Sequence, residues 1–319
     1  MTGMIRTVTL NTGFDETFVV SEAKYGGVSD IVEQWVQPSG KGVNAALGLR
    51  VLSVPVHVYG FVGREDLAGF KECLGREGAD ATLVELDSRT RRNLTLLSLA
   101  ENAPAAHFRG RGFQVEGEAA VEELVSRLEV DCEGGDVVSL HGSTPEGAAV
   151  GTWGRFARVA WRRGARVAVD VYGEALLEVL DACEIDVCKP NEEEMRVLPG
   201  ASSGATEEAA RAALRYMVSR GVRLPIVSLG AEGVVFAGEG RLYSASAPVS
   251  RARVLVGAGD AFMAGVLASL AGREMGSSES VACGVAMASA HVEGLRGTML
   301  ADRWRQLLGS VQVRDLGAL

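Results

Sequence analysis

The chain reads as an α/β protein whose helices cover both faces of a doubly wound, mostly parallel sheet. Two observations predict this. Short β-branched apolar runs recur at 56–61, 136–140, 166–170 and 225–229. Helical stretches separate them, and strand alternating with helix is the pattern of parallel βα units. Two further segments, 18–36 and 92–99, have strand character without a crossover helix. They read as a small β subdomain over the mouth of the main sheet, with an edge extension of that sheet as the alternative.

In order, residues 6–11 form the first strand and 41–52 the first core helix. A strand at 56–61 and a helix at 66–77 follow. The run at 92–99 alternates apolar with polar residues, and Ala106-His107-Phe108 is placed to pair with it. The two lid segments therefore span about 14–37 and 90–113. Helices are expected at 119–128, 147–162 and 206–220. Residues 254–272 are apolar enough to raise a membrane span, but Asp260 and several glycines interrupt them, which fits a buried helix better. No repeat, low-complexity segment or long linker divides the chain, so 1–319 is expected to be one domain.

Composition bounds the function. The 319 residues are 47% apolar and 23% charged with a formal charge of −9, which argues against nucleic acid or an anionic membrane as main partner. A phosphorylated ligand is still allowed, because a local basic pocket can sit in an acidic protein. The five cysteines are scattered without a Cys-x-x-Cys pair, so reduced thiols in the cytoplasm are expected rather than disulfides or zinc. The first residues lack the apolar run of a signal peptide.

The chemistry concentrates at predicted strand ends, where ligands of open α/β sheets bind. Gly257-Ala258-Gly259-Asp260 opens a helix. Unpaired amides and the positive helix end make an anion site there, and the same field favours an ionised Asp260. Such a pair suits phosphoryl transfer, the amides holding the phosphate and the carboxylate taking a hydroxyl proton. A glycine turn with Asp260 as cap reads equally well from spacing alone. Asp15 follows the first strand, as a polyol acceptor or a turn former. Ser39-Gly40-Lys41-Gly42-Val43-Asn44 opens the first core helix, but it is not a Walker A loop, and Phe262 excludes the Rossmann pattern. Lys189-Pro190-Asn191-Glu192-Glu193-Glu194 has capping-box spacing and, alternatively, could organise a magnesium ion through Asn191 and Glu194. Ser228-Leu229-Gly230-Ala231-Glu232-Gly233 is either a nucleotide cradle or a hairpin. Ser143 stands at a strand end. Arg91 and Asn93 enter the lid segment and Arg109 and Arg111 leave it, as a phosphate clamp or as solvated charges. The four histidines share no spacing and indicate no metal site.

Taken in order, an acid after the first strand, Gly-Lys-Gly-x-Asn, Thr-Arg-x-Asn, Lys-Pro-Asn-x-x-Glu, Ser-x-Gly-x-x-Gly and Gly-Ala-Gly-Asp resemble the PfkB (ribokinase-like) carbohydrate kinases across essentially the whole chain. Thr9-Leu10-Asn11, Lys41 and Thr90-Arg91-Arg92-Asn93 are similar to the phosphosugar branch. The resemblance implies a ribokinase-like core with a β lid, ATP and Mg²⁺ as cofactors, and a small sugar or sugar phosphate as acceptor. It makes Asp260 the base and Gly257, Ala258 and Gly259 the anion hole. Lys189, Asn191, Ser228, Gly230, Glu232, Gly233 and Gly259 fall to ATP, and Asn191 and Glu194 serve the metal through waters and phosphates. Asp15, Gly40, Asn44 and Asn93 fall to the sugar, and Lys41, Arg91 and Ser143 to a phosphate already on it. A homodimer through the lid is expected by the same resemblance.

The departures cluster on the sugar side. Thr12-Gly13 replaces Pro-Ala, Ser39 replaces a glycine, and the segment from His107 to Gly112 lacks a Pro-Gly. Val254-Leu255 stands where related chains use an acid to bind potassium, which implies no monovalent-cation activation. The expected activity is phosphorylation of a phosphorylated ketohexose, of the fructose 1-phosphate, fructose 6-phosphate or tagatose 6-phosphate type. An unphosphorylated sugar or a nucleoside is the alternative acceptor, and a non-catalytic sugar or nucleotide binder the alternative class.

Overall fold

A computed structural model describes residues 3–24, 26–100, 103–271 and 276–319. Strand β1 (Ile5–Thr9) leads straight into a separate small sheet through β2 (Gly13–Val20) and β3 (Ile31–Ser39), before α1 (Lys41–Val51) returns the chain to the core. Next come β4 (Val56–Gly63), α2 (Leu67–Arg76) and β5 (Asp80–Leu86), and then the second excursion, β6 (Arg91–Ser98) and β7 (Ala103–Phe108). Four βα units follow: α3 (Ala119–Asp131), β8 (Val137–Gly142), α4 (Thr152–Arg162), β9 (Arg166–Val171), α5 (Glu174–Leu180), the two-residue β10 (Val187–Cys188), α6 (Thr206–Ser219) and β11 (Leu224–Ser228). The chain finishes with β12 (Val234–Gly238), β13 (Arg241–Ser246), α7 (Ala258–Ala271), α8 (Ser277–Val292), α9 (Gly297–Leu308) and β14 (Gln312–Ala318).

Among the described residues the main sheet has ten strands in the order β14-β13-β12-β11-β10-β9-β8-β1-β4-β5. From β5 to β11 neighbours are parallel, while β12, β13 and β14 add antiparallel pairs at one edge. The parallel strands are buried on both faces, which is why they read as continuous apolar runs. Val121, Trp153, Leu176 and Leu214 bring α3 to α6 onto one face. Val43, Phe70, Met263 and Val281 bring α1, α2, α7 and α8 onto the other. Because β1, β8, β9, β10 and β11 run the same way, their carboxyl ends share one edge, and the second sheet rises over it.

That second sheet has the order β3-β2-β6-β7 and is not an extension of the main one. Within it β2 and β6 are parallel, with Asp15 opposite Asn93. One expected helix is shorter than its sequence pattern: α4 starts at Thr152 rather than 147, because Gly147 and Gly151 hold φ of 83° and 85°, a left-handed geometry that ends helical propagation.

The apolar stretch expected to be a buried helix is α7, which packs along α8 with Phe262, Met263, Val266 and Leu267 in the core. No helix among the described residues is long and apolar enough to cross a membrane. Gly265 lets α7 and α8 approach: a Cβ there would lie 2.3 Å from the Cys283 carbonyl oxygen. Backbone cannot rotate aside as a side chain does, so Gly265→Ala should force the helices apart. The expected loss is about 2–3 kcal/mol, in the range of overpacked cores, read as a lower urea midpoint with activity retained below the transition; an unchanged midpoint would contradict the close approach.

Candidate active site

The shared edge of the strands and the underside of the second sheet enclose a cavity of about 1040 Å³, above the usual volume for one small ligand. It gathers residues far apart in sequence. Asp15, Arg91, Asn93 and Arg109 come from the lid, Gly40, Lys41 and Asn44 from the start of α1, and Ser143 and Tyr172 from the ends of β8 and β9. Lys189, Asn191, Ser228, Gly230 and Gly233 line the other arm, and Gly257 to Asp260 stand between the two. Glu232 and Glu194 do not line it; Glu194 is buried beneath, and Glu232 is exposed.

Beneath the cavity floor lies Asp170, which sequence reasoning missed. Strand β9 carries it, with a fully buried carboxylate. Its Oδ1 meets Lys41 Nζ at 3.1 Å and Lys189 Nζ at 3.2 Å. Burial alone would raise the acid, but Lys189 and Lys41 outweigh it and hold Asp170 ionised far below the ordinary carboxylate range. Lys41 also reaches Glu194 Oε1 at 3.0 Å. Burial opposes its charge, yet Asp170 and Glu194 raise its pKa well above that of a free lysine. His141 Nδ1 lies 3.8 Å from Asp170 Oδ2, and its Nε2 meets Ser139 Oγ at 2.7 Å. Burial lowers this imidazole, so it is neutral.

Asp260, in the first turn of α7, is buried and accepts a hydrogen bond from Asn44 Nδ2 at 2.7 Å. The expectation that the helix field keeps it ionised is overturned. Burial, and then the Asp170 charge, push its pKa up to about 7, against the opposing pull of Lys41, Asn44 and Lys189. An acid poised near neutrality has the proton affinity wanted of a general base.

The turn ahead of it requires glycine: Gly257 has φ of 85°, and a Cβ there would sit 3.2 Å from His291 Nε2. That nitrogen is 2.9 Å from the Val256 carbonyl oxygen, holding the turn against α8. The amides of Gly257 and Gly259 have no backbone partner among the described residues, whereas Ala258 N–H turns back to Leu255 O at 3.3 Å. The preceding loop is tied down by Glu293, which accepts from Ser250 N–H and Oγ–H at 2.9 Å and from Arg303. The Arg303 guanidinium holds Glu293 down at about 2.

Of the two readings of the Asn191 segment, the hydrogen bonds show the cap. Asn191 Oδ1 accepts from Glu194 N–H at 2.8 Å and Glu194 Oε2 from Asn191 N–H at 2.9 Å, a reciprocal cap. Glu194's other oxygen is the one spent on Lys41. Ser228 to Gly233 likewise form the β11–β12 hairpin and still present Ser228, Gly230 and Gly233 to the cavity.

At the lid end Asp15 Oδ1 accepts from Asn93 Nδ2 at 2.7 Å, and Ser143 Oγ accepts from Asn11 Nδ2 at 2.8 Å. Arg91 donates Nη2–H to Asn11 O at 3.0 Å, while its Nε is buried without a partner. Burial lowers its pKa although Asp15 pulls the other way.

Residues 10–299 match the family described as pfkB family carbohydrate kinase. The chain is 34% identical over 303 residues to a 1-phosphofructokinase of Haloferax volcanii, covering 94% of each chain. It is 33% identical over 272 residues to the 1-phosphofructokinase of Rhodobacter capsulatus, covering 84% of each. Its fold is like that of Escherichia coli phosphofructokinase-2 in complex with fructose 6-phosphate, with a TM-score of 0.84 at 23% identity over 97% of this chain and 99% of that one.

The Asp260 shift links to stability. Between the unfolded value of 3.8 and the folded value of about 7 the native state holds a proton that the unfolded chain has lost, so stability falls as pH rises through that window, by at most about 1.4 kcal/mol per pH unit. Asp260→Asn, which cannot ionise, should therefore melt higher than the parent at pH 8, with a smaller gap at pH 5. Thermal unfolding at the two pH values checks this, and an equal gap at both would contradict it.

Proposed function

The chain belongs to the pfkB family of carbohydrate kinases, and on that premise we propose that it transfers the γ-phosphate of ATP to a hydroxyl of a phosphorylated ketohexose. Fructose 1-phosphate leads, because the relatives at 33% and 34% identity are 1-phosphofructokinases; fructose 6-phosphate and tagatose 6-phosphate are of the same chemical type. The observation that carries the reading is the arrangement of one cavity. Asp260 and the free amides of Gly257 and Gly259 stand at its centre, and Arg91 stands at its lid end with an unpartnered Nε.

In this reading Asp15, Gly40, Asn44 and Asn93 hold the sugar hydroxyls and present one of them to Asp260. Its oxygen attacks the γ-phosphorus as the bond to the β-phosphate oxygen breaks, the proton passes to the Asp260 carboxylate, and ADP leaves with the electron pair. Charge building on the migrating group is met by the amides at the head of α7. Lys41 was expected at the acceptor's own phosphate together with Arg91 and Ser143. Paired with Asp170 and Glu194 it is better placed at the transferred group, which leaves Arg91 and Ser143, with Arg109 beside them, for the acceptor phosphate.

ATP lies along Lys189, Asn191 and the hairpin from Ser228 to Gly233. Mg²⁺, when bound with the nucleotide, would offset phosphate charge, with Asn191 and Glu194 as the residues nearest to serve it. Asn191 and Glu194 fit that role through waters only, since both Glu194 oxygens are engaged and no group of three metal-binding side chains occurs among the described residues. A homodimer through the lid is part of this proposal: Ile31, Val32, Val36 and Phe108 leave apolar surface on that sheet. Cytoplasmic residence accords with five unpaired cysteines.

Asp260→Asn should lower kcat by several orders of magnitude while ATP still binds. ADP-coupled turnover and nucleotide titration measure the two, and near-parental turnover would sink the mechanism. Arg91→Ala should raise KM for the sugar phosphate at least about tenfold, in keeping with loss of a charge-assisted contact, and leave KM for ATP alone. Equal changes in both would remove Arg91 from the acceptor phosphate.

A further inference from the structure

Tyr172 has a place in this site that no sequence motif marks. It follows β9 directly, two residues beyond Asp170, and its N–H donates to Gly142 O at 3.2 Å, so the ends of β8 and β9 together fix its backbone. Its ring lies against the Lys41 ammonium, with Nζ 3.9 Å from the ring centroid. The other sides of that ammonium face Asp170 and Glu194. A cation between two carboxylates and an aromatic face is held in three directions, and a desolvated cation–π contact adds to ionic ones. Tyr172 also lines the cavity, 36% exposed. The ring therefore lies on the Lys41 ammonium at the wall of the same cavity that Arg91 lines.

We propose that Tyr172 is a positioning residue whose ring face keeps the Lys41 ammonium against Asp170 and Glu194, beside Asp260, and away from the Arg91 end of the cavity. A lysine on a flexible stem has no such restraint of its own, because an ammonium accepts any anion within reach. With the ring in place, an acceptor phosphate meets Arg91 and the transferred phosphate meets Lys41. Without it, the ammonium can follow the acceptor phosphate and leave Asp260. This rests on the phosphoketose kinase reading for its consequences, but not for its geometry.

The test compares Tyr172→Phe, which keeps the ring, with Tyr172→Leu, which keeps comparable bulk without a π face. Phe should leave kcat within about twofold of the parent, and Leu should lower it about tenfold, the scale of a desolvated cation–π contact. KM for ATP should not move in either. The pH–rate profile gives a second readout. Asp260 faces Asp170 on β9, Lys189 beyond β10, and Lys41 and Asn44 on α1; of these Lys41 opposes its protonation most, so the acid limb should move to higher pH in Leu and stay in Phe.

A third readout needs no substrate. The chain has four lysines, and in ligand-free protein with labelled lysine the ε-methylene signal of Lys41, assigned by Lys41→Arg, should be shifted upfield by the ring. That shift should persist in Phe and vanish in Leu. Equal losses of kcat in Phe and Leu, full activity in Leu, or no ring-dependent shift in the parent would each overturn the proposal. If the parent protein prefers another acceptor, the acceptor reading fails on that assay alone, and the Phe–Leu contrast is measured with the preferred acceptor.

Discussion

A carboxylate without water must be neutralised where it lies, and Asp170 imposes that constraint on the whole site. An unpaired charge at its depth would cost several kcal/mol. Lys41 and Lys189 meet it at 3.1 Å and 3.2 Å from different parts of the chain. The pairing joins β9 to the start of α1 and to the end of β10, and through Lys41 to Glu194. These are the pieces that a two-substrate reaction needs in fixed register. Burial and then the same charge push Asp260 upward, so the ion pairs around Asp170 also set the proton affinity of the carboxyl proposed as base.

Around that centre the cavity divides by electrostatics. One arm offers the lysines, the head of α7 and the glycine hairpin, all suited to phosphates that arrive and leave. The other offers Asp15, Asn93 and Asn44, already hydrogen-bonded to one another or to Asp260, with Arg91 at the far end. Polar side chains held this way need little reorganisation when a polyol replaces their mutual bonds. The lid supplies Asp15, Asn93 and Arg91 of the second arm, and in the proposed reading acceptor choice falls to that sheet, near which the departures from related kinases cluster.

Much of this was legible in the chain. The parallel strands announce themselves because burial on both faces demands unbroken apolar runs, and the lid does so because its strands alternate and lack crossovers. The glycine motifs are legible because tight turns with positive φ, such as those at Gly40, Gly230, Gly233 and Gly257, leave few residue choices. What stayed hidden depends on partners distant in sequence. Asp170 is one acid at the end of one strand; its role exists only when Lys41 and Lys189 arrive from elsewhere. The expectation for Asp260 failed for the same reason. Its own helix predicts an ionised acid, but burial and Asp170 are invisible from that stretch. Helix α8, apolar on nearly every side, has no periodic stripe to read.

The most direct measurement is ADP formation by the purified protein with ATP and Mg²⁺, across fructose 1-phosphate, fructose 6-phosphate, tagatose 6-phosphate, fructose and a nucleoside. A site that ends in Arg91 should favour a phosphorylated ketohexose over free fructose by at least about a hundredfold in kcat/KM, since the unphosphorylated sugar leaves the half-buried Arg91 guanidinium without an anion. Equal use of fructose and its phosphates, preference for the nucleoside, or ADP formation independent of every acceptor would contradict it.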